Sequence, residues 1–121
     1  MEELSTRQKG NVGEDKAVSY LKSQNYTILD RNYRIRTGEI DIVALKDDVL
    51  VFVEVKSLPH GNIEILSHEL NSTKQKKIIK TSKSYLQKHR QYSNGLIRYD
   101  VLAIDVPGLD PVHHIVSAFS E

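Results

Sequence analysis

Two consecutive strand-like segments carry ionisable residues at positions where a folded protein normally buries apolar ones. Asp41 lies between two isoleucines, and Glu54 and Lys56 flank Val55 at the end of a valine-rich run. Ionised groups in such surroundings cost free energy unless they are paired or bind a metal ion. A site that needs two carboxylates and an amine together would account for all three residues.

The spacing of these residues predicts that they meet in a hairpin. Side chains of a strand alternate between its two faces, and the Asp-Asp pair at 47–48 is the natural polar break between the segments. A hairpin closed there places Asp41 opposite Glu54, and Glu39 opposite Lys56, on one face. Opposed side chains lie about 4.5–5.5 Å apart at Cβ, so the two acids would repel each other. This register requires a loop of even length, with either two or four residues.

Two carboxylates held this close are suited to bind a divalent cation. Oxygen ligands favour Mg²⁺ or Mn²⁺, with water in the remaining positions. Lys56 lies two residues after Glu54 and therefore points into the same site, where its ammonium group can orient a water or stabilise charge on a phosphate oxygen. Glu39 is predicted to support the site by holding Lys56 in an ion pair. The pattern favours the hydrolysis of phosphodiesters.

The order of these motifs resembles that of a known group of proteins. Asp41 followed by Glu54-Val55-Lys56 is similar to the signature of the PD-(D/E)xK nuclease superfamily, which includes restriction enzymes and archaeal Holliday-junction resolvases. More closely, the chain resembles the YraN-type family of small bacterial proteins assigned to that superfamily. The resemblance covers almost the whole chain and is carried by Gly10-x-x-Gly13-Glu14, Asn32-x-Arg34, Gly38-Glu39-Ile40-Asp41-Ile42-Val43-Ala44, Phe52-Val53-Glu54-Val55-Lys56 and Arg98-Tyr99-Asp100-Val101.

The resemblance implies roles for four residues. Asp41 and Glu54 would be the metal ligands, and Lys56 would be the catalytic lysine. Glu14 would be a further catalytic residue that the first helix contributes.

Glu14 has a second interpretation, which the residues alone leave open. It could be an ordinary acid of the first helix that forms an ion pair with Lys16 or Lys9. In that case it would stabilise the helix and take no part in the site.

The order of elements predicts a single α/β domain that spans residues 1–121. The predicted order is αβββαββ, with a mixed central sheet flanked by helices, and the resemblance implies a restriction-endonuclease-like core. The predicted elements are a helix at 5–24, a strand at 26–33, the hairpin, an irregular loop at 57–71, a helix at 72–90, and strands at 98–106 and 113–118.

The predicted helix at 72–90 carries seven Lys or Arg residues and no acid. Ser72 and Gln75 predict a capping box at its start, and apolar residues at helical spacing predict a stripe that packs on the sheet. The basic face is either a solvated surface or a track for phosphate groups. Since the net charge is only +1, affinity for DNA would come from this uneven distribution. The residues predicted to bind nucleic acid are Lys74, Lys76, Lys77, Lys80 and Lys83.

These features predict a Mg²⁺- or Mn²⁺-dependent DNA endonuclease that acts on branched, recombination or repair DNA. The alternative is a catalytically silent nucleic-acid-binding or adaptor protein of the same fold, which would act with a DNA-processing ATPase. The intact set of Asp41, Glu54 and Lys56 favours the enzyme, whereas the segment 57–61 lacks the further basic residue that the resemblance implies after Lys56 and leaves the substrate-facing side of the site open. A homodimer is left open.

The composition predicts where such a protein would work. The chain contains no cysteine, which excludes disulfides and thiolate metal sites and suits a reducing compartment. The first residues form no apolar signal region, and no apolar run approaches membrane-spanning length. The predicted location is the cytoplasm, without a membrane partner.

Overall fold

A computed structural model of the protein describes the backbone of residues 6–121 and the side chains of residues 12–121. The predicted helix start at Ser5 and the side chain of Lys9 lie outside the described residues. The helices and strands are α1 Thr6–Ser23, β1 Thr27–Ile35, β2 Gly38–Lys46, β3 Val49–Ser57, α2 Ile63–Glu69, α3 Ser72–Lys88, β4 Leu96–Ile104 and β5 Val112–Phe119, with a short 3₁₀ turn at Arg90–Tyr92.

The five strands form one mixed sheet in the order β1-β2-β3-β4-β5. Strands β3 and β4 are parallel, and the three other neighbouring pairs are antiparallel. The parallel pair needs a long crossover, which α2 and α3 supply. The predicted α/β class with a mixed sheet flanked by helices is confirmed. The structure contains one helix that the predicted order lacks, α2.

Helices cover both faces of the sheet. Helix α1 buries Ala17 and Leu21 against one face, whereas α3 buries Ile78 and Tyr85 against the other. Coverage on both sides explains why β3 and β4 are almost continuously apolar. Across the part of the chain that the structure describes, no helix combines the length and the apolar character that crossing a membrane requires.

The hairpin between β2 and β3 closes through a two-residue turn in the predicted register. The ladder pairs Ile42 with Val53 and continues to the turn. Asp47 and Asp48 both have positive φ angles, of 49° and 65°, as a type I′ turn requires. Aspartate tolerates this left-handed conformation better than most residues, so the turn forms without glycine.

Residues 57–71, predicted as an irregular loop, contain helix α2. The Asn62 side chain caps the helix by accepting a hydrogen bond of 3.0 Å from the backbone of Ile65. Leu66 is 2% exposed and packs in a cluster with Val101 of β4. The loop prediction was wrong because a seven-residue helix with one buried residue shows no periodicity that a sequence pattern could reveal.

The start of α3 also differs from the prediction. Asn71 is the N-cap, and its Oδ1 accepts a hydrogen bond of 3.0 Å from the backbone N of Lys74. Gln75 donates to the carbonyl of Leu70 at 2.8 Å. The predicted capping box of Ser72 and Gln75 is therefore wrong, because Asn71 occupies the cap one residue earlier and asparagine is among the strongest N-caps.

A buried carboxylate ties β4 to β5. The side chain of Asp100 is fully buried and is bonded to Arg98 Nε at 2.8 Å, Arg98 Nη2 at 2.7 Å, His114 Nε2 at 2.7 Å and the backbone N of Ser117 at 3.0 Å. Burial alone would raise the pKa of Asp100, but its hydrogen bonds to His114, Arg98 and Ser117 outweigh that effect and lower it. The network therefore joins β4 to β5 and stabilises the fold.

Candidate functional site

The candidate site lies where β2 separates from β3. The last pair of their ladder is Ile42 with Val53. One residue beyond it, Asp41 Oδ2 accepts a hydrogen bond of 2.8 Å from the backbone N of Val55. Ile40 packs in the cluster beneath α3, whereas Ile42 packs beneath α1. The alternation of β2 is thus broken at Asp41, whose carboxylate takes the place of the next ladder hydrogen bond.

Asp41 and Glu54 form a close pair of carboxyl groups. The side chain of Glu54 is 6% exposed. Burial, followed by the charge of Glu54, raises the pKa of Asp41 to about 7. Burial also raises the pKa of Glu54, while the neighbouring Lys74, Lys56 and Asp41 side chains limit the rise. Two carboxyl groups in this relation share a proton more readily than they carry two full charges.

Two lysines approach the same oxygen of Glu54. Lys56 Nζ lies 3.9 Å and Lys74 Nζ lies 3.5 Å from Glu54 Oε1. Lys56 is also 3.5 Å from Oε2 of Glu69, at the end of α2. The charges therefore alternate in the order Glu69, Lys56, Glu54, Lys74.

Glu39 does not hold Lys56, so the predicted ion pair between them is wrong. Glu39 Oε2 lies 2.7 Å from Nε of Arg34, its register partner on β1. The error arose because the predicted register was extended past Ile42, where the pairing of β2 with β3 ends. The negative charge of Glu39 still contributes to raising the pKa of Asp41, after burial and the charge of Glu54.

Glu14 lies buried at the margin of the site, with 6% of the residue exposed. Its Oε1 accepts hydrogen bonds from Arg31 Nε at 2.9 Å and from Asn32 at 3.1 Å. The alternative pairing with Lys16 is wrong, since Lys16 binds Asp105 at 2.7 Å. The interpretation of Glu14 as a further catalytic residue stays a prediction.

The lysines predicted to bind nucleic acid fall into two groups. Lys76, Lys77, Lys80 and Lys83 lie on the outer side of α3, and Lys83 forms an ion pair with Glu121. Three of these lysines, at 76, 80 and 83, line a groove of about 460 Å³ between α3 and residues 120–121. Their role in binding nucleic acid stays a prediction.

Lys74 points away from this groove and into the carboxylate site. Sequence reasoning missed this difference, although a signal was available. Lys74 is in line with Ile78, Thr81 and Tyr85 at helical spacing, and these three are buried. Lys74 therefore belongs to the stripe of α3 that faces the sheet.

The donor set fits a hard divalent cation. Asp41 and Glu54 would hold Mg²⁺ or Mn²⁺ through carboxylate oxygens, and Mg²⁺ commonly binds through one or two carboxylates and keeps several waters. Among the described residues, no group of three or more His, Cys, Asp or Glu side chains is arranged to hold a metal ion. A closed zinc site, which needs four protein ligands, is not formed by this part of the chain.

Comparisons with known proteins identify relatives along almost the whole chain. The model of the uncharacterised protein family UPF0102 matches residues 13–104. A UPF0102 protein of Geobacter metallireducens is 41% identical over 117 residues, covering 96% of this chain and 95% of the relative. Another, of Alkaliphilus oremlandii, is 40% identical over 112 residues, covering 91% and 96%. A third, of Treponema denticola, is 40% identical over 102 residues, covering 78% of each chain.

Proposed function

The chain belongs to the uncharacterised protein family UPF0102, and we propose, from the site that its own residues build, that it is a metal-dependent endonuclease acting on DNA. The observation that carries the proposal is the pair of carboxyl groups of Asp41 and Glu54 beside Lys56. Two acids held together, one of them buried, disfavour each other's charged form and do not stabilise the fold. Such an arrangement is characteristic of sites that bind a cation and a phosphate.

The side chains have distinct roles in this proposal. Asp41 and Glu54 would hold Mg²⁺ or Mn²⁺, and the cation would act as a Lewis acid and lower the pKa of water. Lys56 stabilises the negative charge that develops on the phosphate oxygens. A water oxygen forms a bond to phosphorus as the bond to the leaving ester oxygen breaks. The water gives up a proton and the leaving oxygen acquires one, so the products are a phosphomonoester and an alcohol.

Membership in the PD-(D/E)xK superfamily is part of the proposal. It is supported by the order of the residues, with Asp41 on β2 and Glu54 and Lys56 on β3. It is supported also by the sheet, in which an antiparallel meander is followed by a helical crossover into the parallel strand β4. Because one fold hosts many functions, the side chains of the site carry more of the argument than the fold.

The second candidate is an adaptor of the same fold that binds nucleic acid without cutting it. One observation favours it: Glu54 already has two lysine partners, so its charge is compensated without a cation. Such a protein would act with a DNA-processing ATPase. A partner ATPase and a homodimer are further predictions for this candidate.

A cleavage assay separates the two candidates. Labelled linear, flapped and four-way-junction DNAs, together with matched RNAs, are incubated with the protein and Mg²⁺ or Mn²⁺. An endonuclease cuts at least one DNA, and Asp41→Asn abolishes the cutting. Binding without cleavage of any substrate by wild type supports the adaptor.

The raised pKa of Asp41 predicts a pH dependence for cation binding. Its folded pKa of about 7 lies above the reference value of 3.8, so the folded protein keeps a proton that the unfolded chain releases. Without metal, this group makes stability fall as pH rises from about 4 to about 7. Since the cation must displace the proton, its stabilising effect grows as pH rises through about 7, to about 2.7 kcal/mol at 100 times its Kd.

The measurement is the melting temperature with and without Mn²⁺ at pH 5.5 and pH 8. Asp41→Asn, which has no proton to release at this position, should show a smaller fall in stability, because the raised pKa of Glu54 remains, and it should show no gain from Mn²⁺. A melting temperature of wild type that Mn²⁺ leaves unchanged at both pH values would contradict the metal site.

The outer lysines of α3 predict a salt-dependent contribution to DNA binding. Replacing Lys76, Lys80 and Lys83 together with Gln should weaken binding to all sequences alike, because ion pairs with phosphates carry no sequence information. The slope of log Kd against log salt should fall by about 0.9 for each phosphate that the variant no longer neutralises. Fluorescence anisotropy between 50 mM and 300 mM salt measures this, with Lys22→Gln on α1 as control. An unchanged slope would place the DNA surface elsewhere.

A further inference from the structure

We propose that Lys74 is a phosphate-binding residue of the site, and that Glu54 couples its availability to the cation. The inference rests on the proposed function and deepens it, since it assigns the ligand of Lys74 as a phosphate group of the DNA backbone. The sequence places Lys74 among lysines on an exposed surface, whereas its Nζ lies 3.5 Å from Oε1 of Glu54.

The position of Lys74 is fixed by the start of α3. The Oδ1 atom of Asn71 accepts a hydrogen bond of 3.0 Å from the backbone N of Lys74, which anchors the first turn. The Lys74 side chain is 36% exposed, and the side chain of Glu54, which it contacts, is 6% exposed. A lysine that approaches a buried carboxylate while its side chain remains partly accessible can also reach a ligand that enters the site from solvent.

The two lysines at Glu54 differ in what holds them. Lys56 has a second carboxylate partner, Glu69, at 3.5 Å. Among the side chains that the structure describes, Glu54 is the only carboxylate paired with Lys74. If Glu54 gives its oxygens to a cation, Lys56 keeps a carboxylate partner, whereas Lys74 keeps none among these side chains.

An ammonium group that loses its anion in a partly buried site needs another one. The anion that the proposed function brings there is a backbone phosphate, which an ammonium binds as a point charge. Binding of the cation and binding of DNA should therefore favour each other through Lys74. By thermodynamic linkage the coupling acts equally in both directions.

The test measures how much Mn²⁺ tightens DNA binding. The probe is a fluorescently labelled duplex with phosphorothioate linkages, which keeps its charge and resists hydrolysis. In wild type, Mn²⁺ should lower the Kd for this duplex by about 10-fold, within the usual range of coupling between sites. Lys74→Gln should reduce this factor to less than about 3-fold, and Lys74→Arg should retain most of it.

A second readout separates this role from damage to the metal site. In the absence of DNA, Lys74→Gln should bind Mn²⁺ as tightly as wild type or more tightly, because Lys74 competes with the cation for Glu54. The readout is the shift in melting temperature against Mn²⁺ concentration. Lys76→Gln, from the outer side of the same helix, is the matched control and should weaken DNA binding by the same factor with and without Mn²⁺.

The outcomes distinguish this inference from the proposed function. If Mn²⁺ does not shift the melting temperature of wild type, the proposed metal site fails. If Mn²⁺ stabilises wild type but Lys74→Gln keeps the full coupling to DNA, the inference alone is overturned. It is overturned also if Lys74→Gln weakens Mn²⁺ binding without DNA, because Lys74 would then support the metal site itself.

Discussion

Replacing Lys56 with alanine is expected to lower the rate of DNA cleavage by about 10²- to 10³-fold, the usual cost of removing a group that stabilises transition-state charge. DNA binding and Mn²⁺ binding should change little, because the proposed interaction of Lys56 with the phosphate strengthens only as the reaction proceeds. Single-turnover cleavage at saturating protein measures the chemical step. Anisotropy and melting temperature measure the two kinds of binding.

A substitution at the preceding residue is the control for this experiment. Val55 belongs to the cluster beneath α1, on the opposite face of β3 from Lys56. Val55→Ala should lower the free energy of unfolding by about 1–3 kcal/mol because it removes packed methyl groups, and should leave the cleavage rate within a few-fold of wild type. If Lys56→Ala cuts as fast as wild type, the lysine is a structural partner of Glu54 and Glu69, and the proposed chemistry fails.

Replacing Asp100 with alanine should have the largest effect on stability. Its carboxylate is fully buried and is bonded to Arg98, His114 and the backbone of Ser117. Removing one partner of such a network leaves a buried charge without compensation, which costs about 3–5 kcal/mol. Urea denaturation measures the decrease in stability. Asp105→Asn, which breaks an ion pair whose side chains are 49% and 41% exposed, should cost less than about 1 kcal/mol.

The lowered pKa of Asp100 predicts a pH dependence of stability that a second variant, Asp100→Asn, can test. A carboxyl group with a folded pKa below its unfolded value stabilises the protein above the unfolded pKa, and this stability is lost as pH falls through the folded pKa. The acid-induced loss of stability should therefore be smaller in Asp100→Asn than in wild type, although the variant is less stable at pH 7. An equal loss in both proteins would show that another group dominates acid unfolding.

Much of the fold could be predicted because local patterns and tertiary packing agree. The alternation of β2 and β3 and the break at Asp47 and Asp48 were sufficient to predict the register. They also predicted Asp41 directly opposite Glu54, but that pair lies one residue beyond the ladder, and Asp41 instead accepts a hydrogen bond from the backbone of Val55. The wrong predictions concern residues whose partners are determined by tertiary contacts. The pairing of Glu39 could not be predicted, because no pattern in the sequence marks the point at which β2 leaves β3.

Helices α2 and α3 also contain features that the sequence analysis did not predict. Helix α2 has one buried residue, Leu66, so its existence depends on packing that a periodic pattern does not record. Lys74 was grouped with the other lysines by charge alone, although its helical position sets it on the buried stripe with Ile78 and Tyr85. For Lys74, helical spacing predicts which side of α3 the residue lies on, whereas the lysine-rich composition of the helix does not.

The parallel pairing of β3 with β4 also bears on the order in which the protein folds. Strands β1, β2 and β3 are neighbours in both sequence and space, so their hairpins close short loops and can form early. The segment 58–95 separates β3 from β4 in the sequence, so the pairing of these two strands is a step of higher contact order. Asp41 and Glu54 thus meet on the early meander, while Lys74 arrives with the crossover. We therefore expect the two acids to repel each other on the meander until the crossover brings Lys74 close to Glu54.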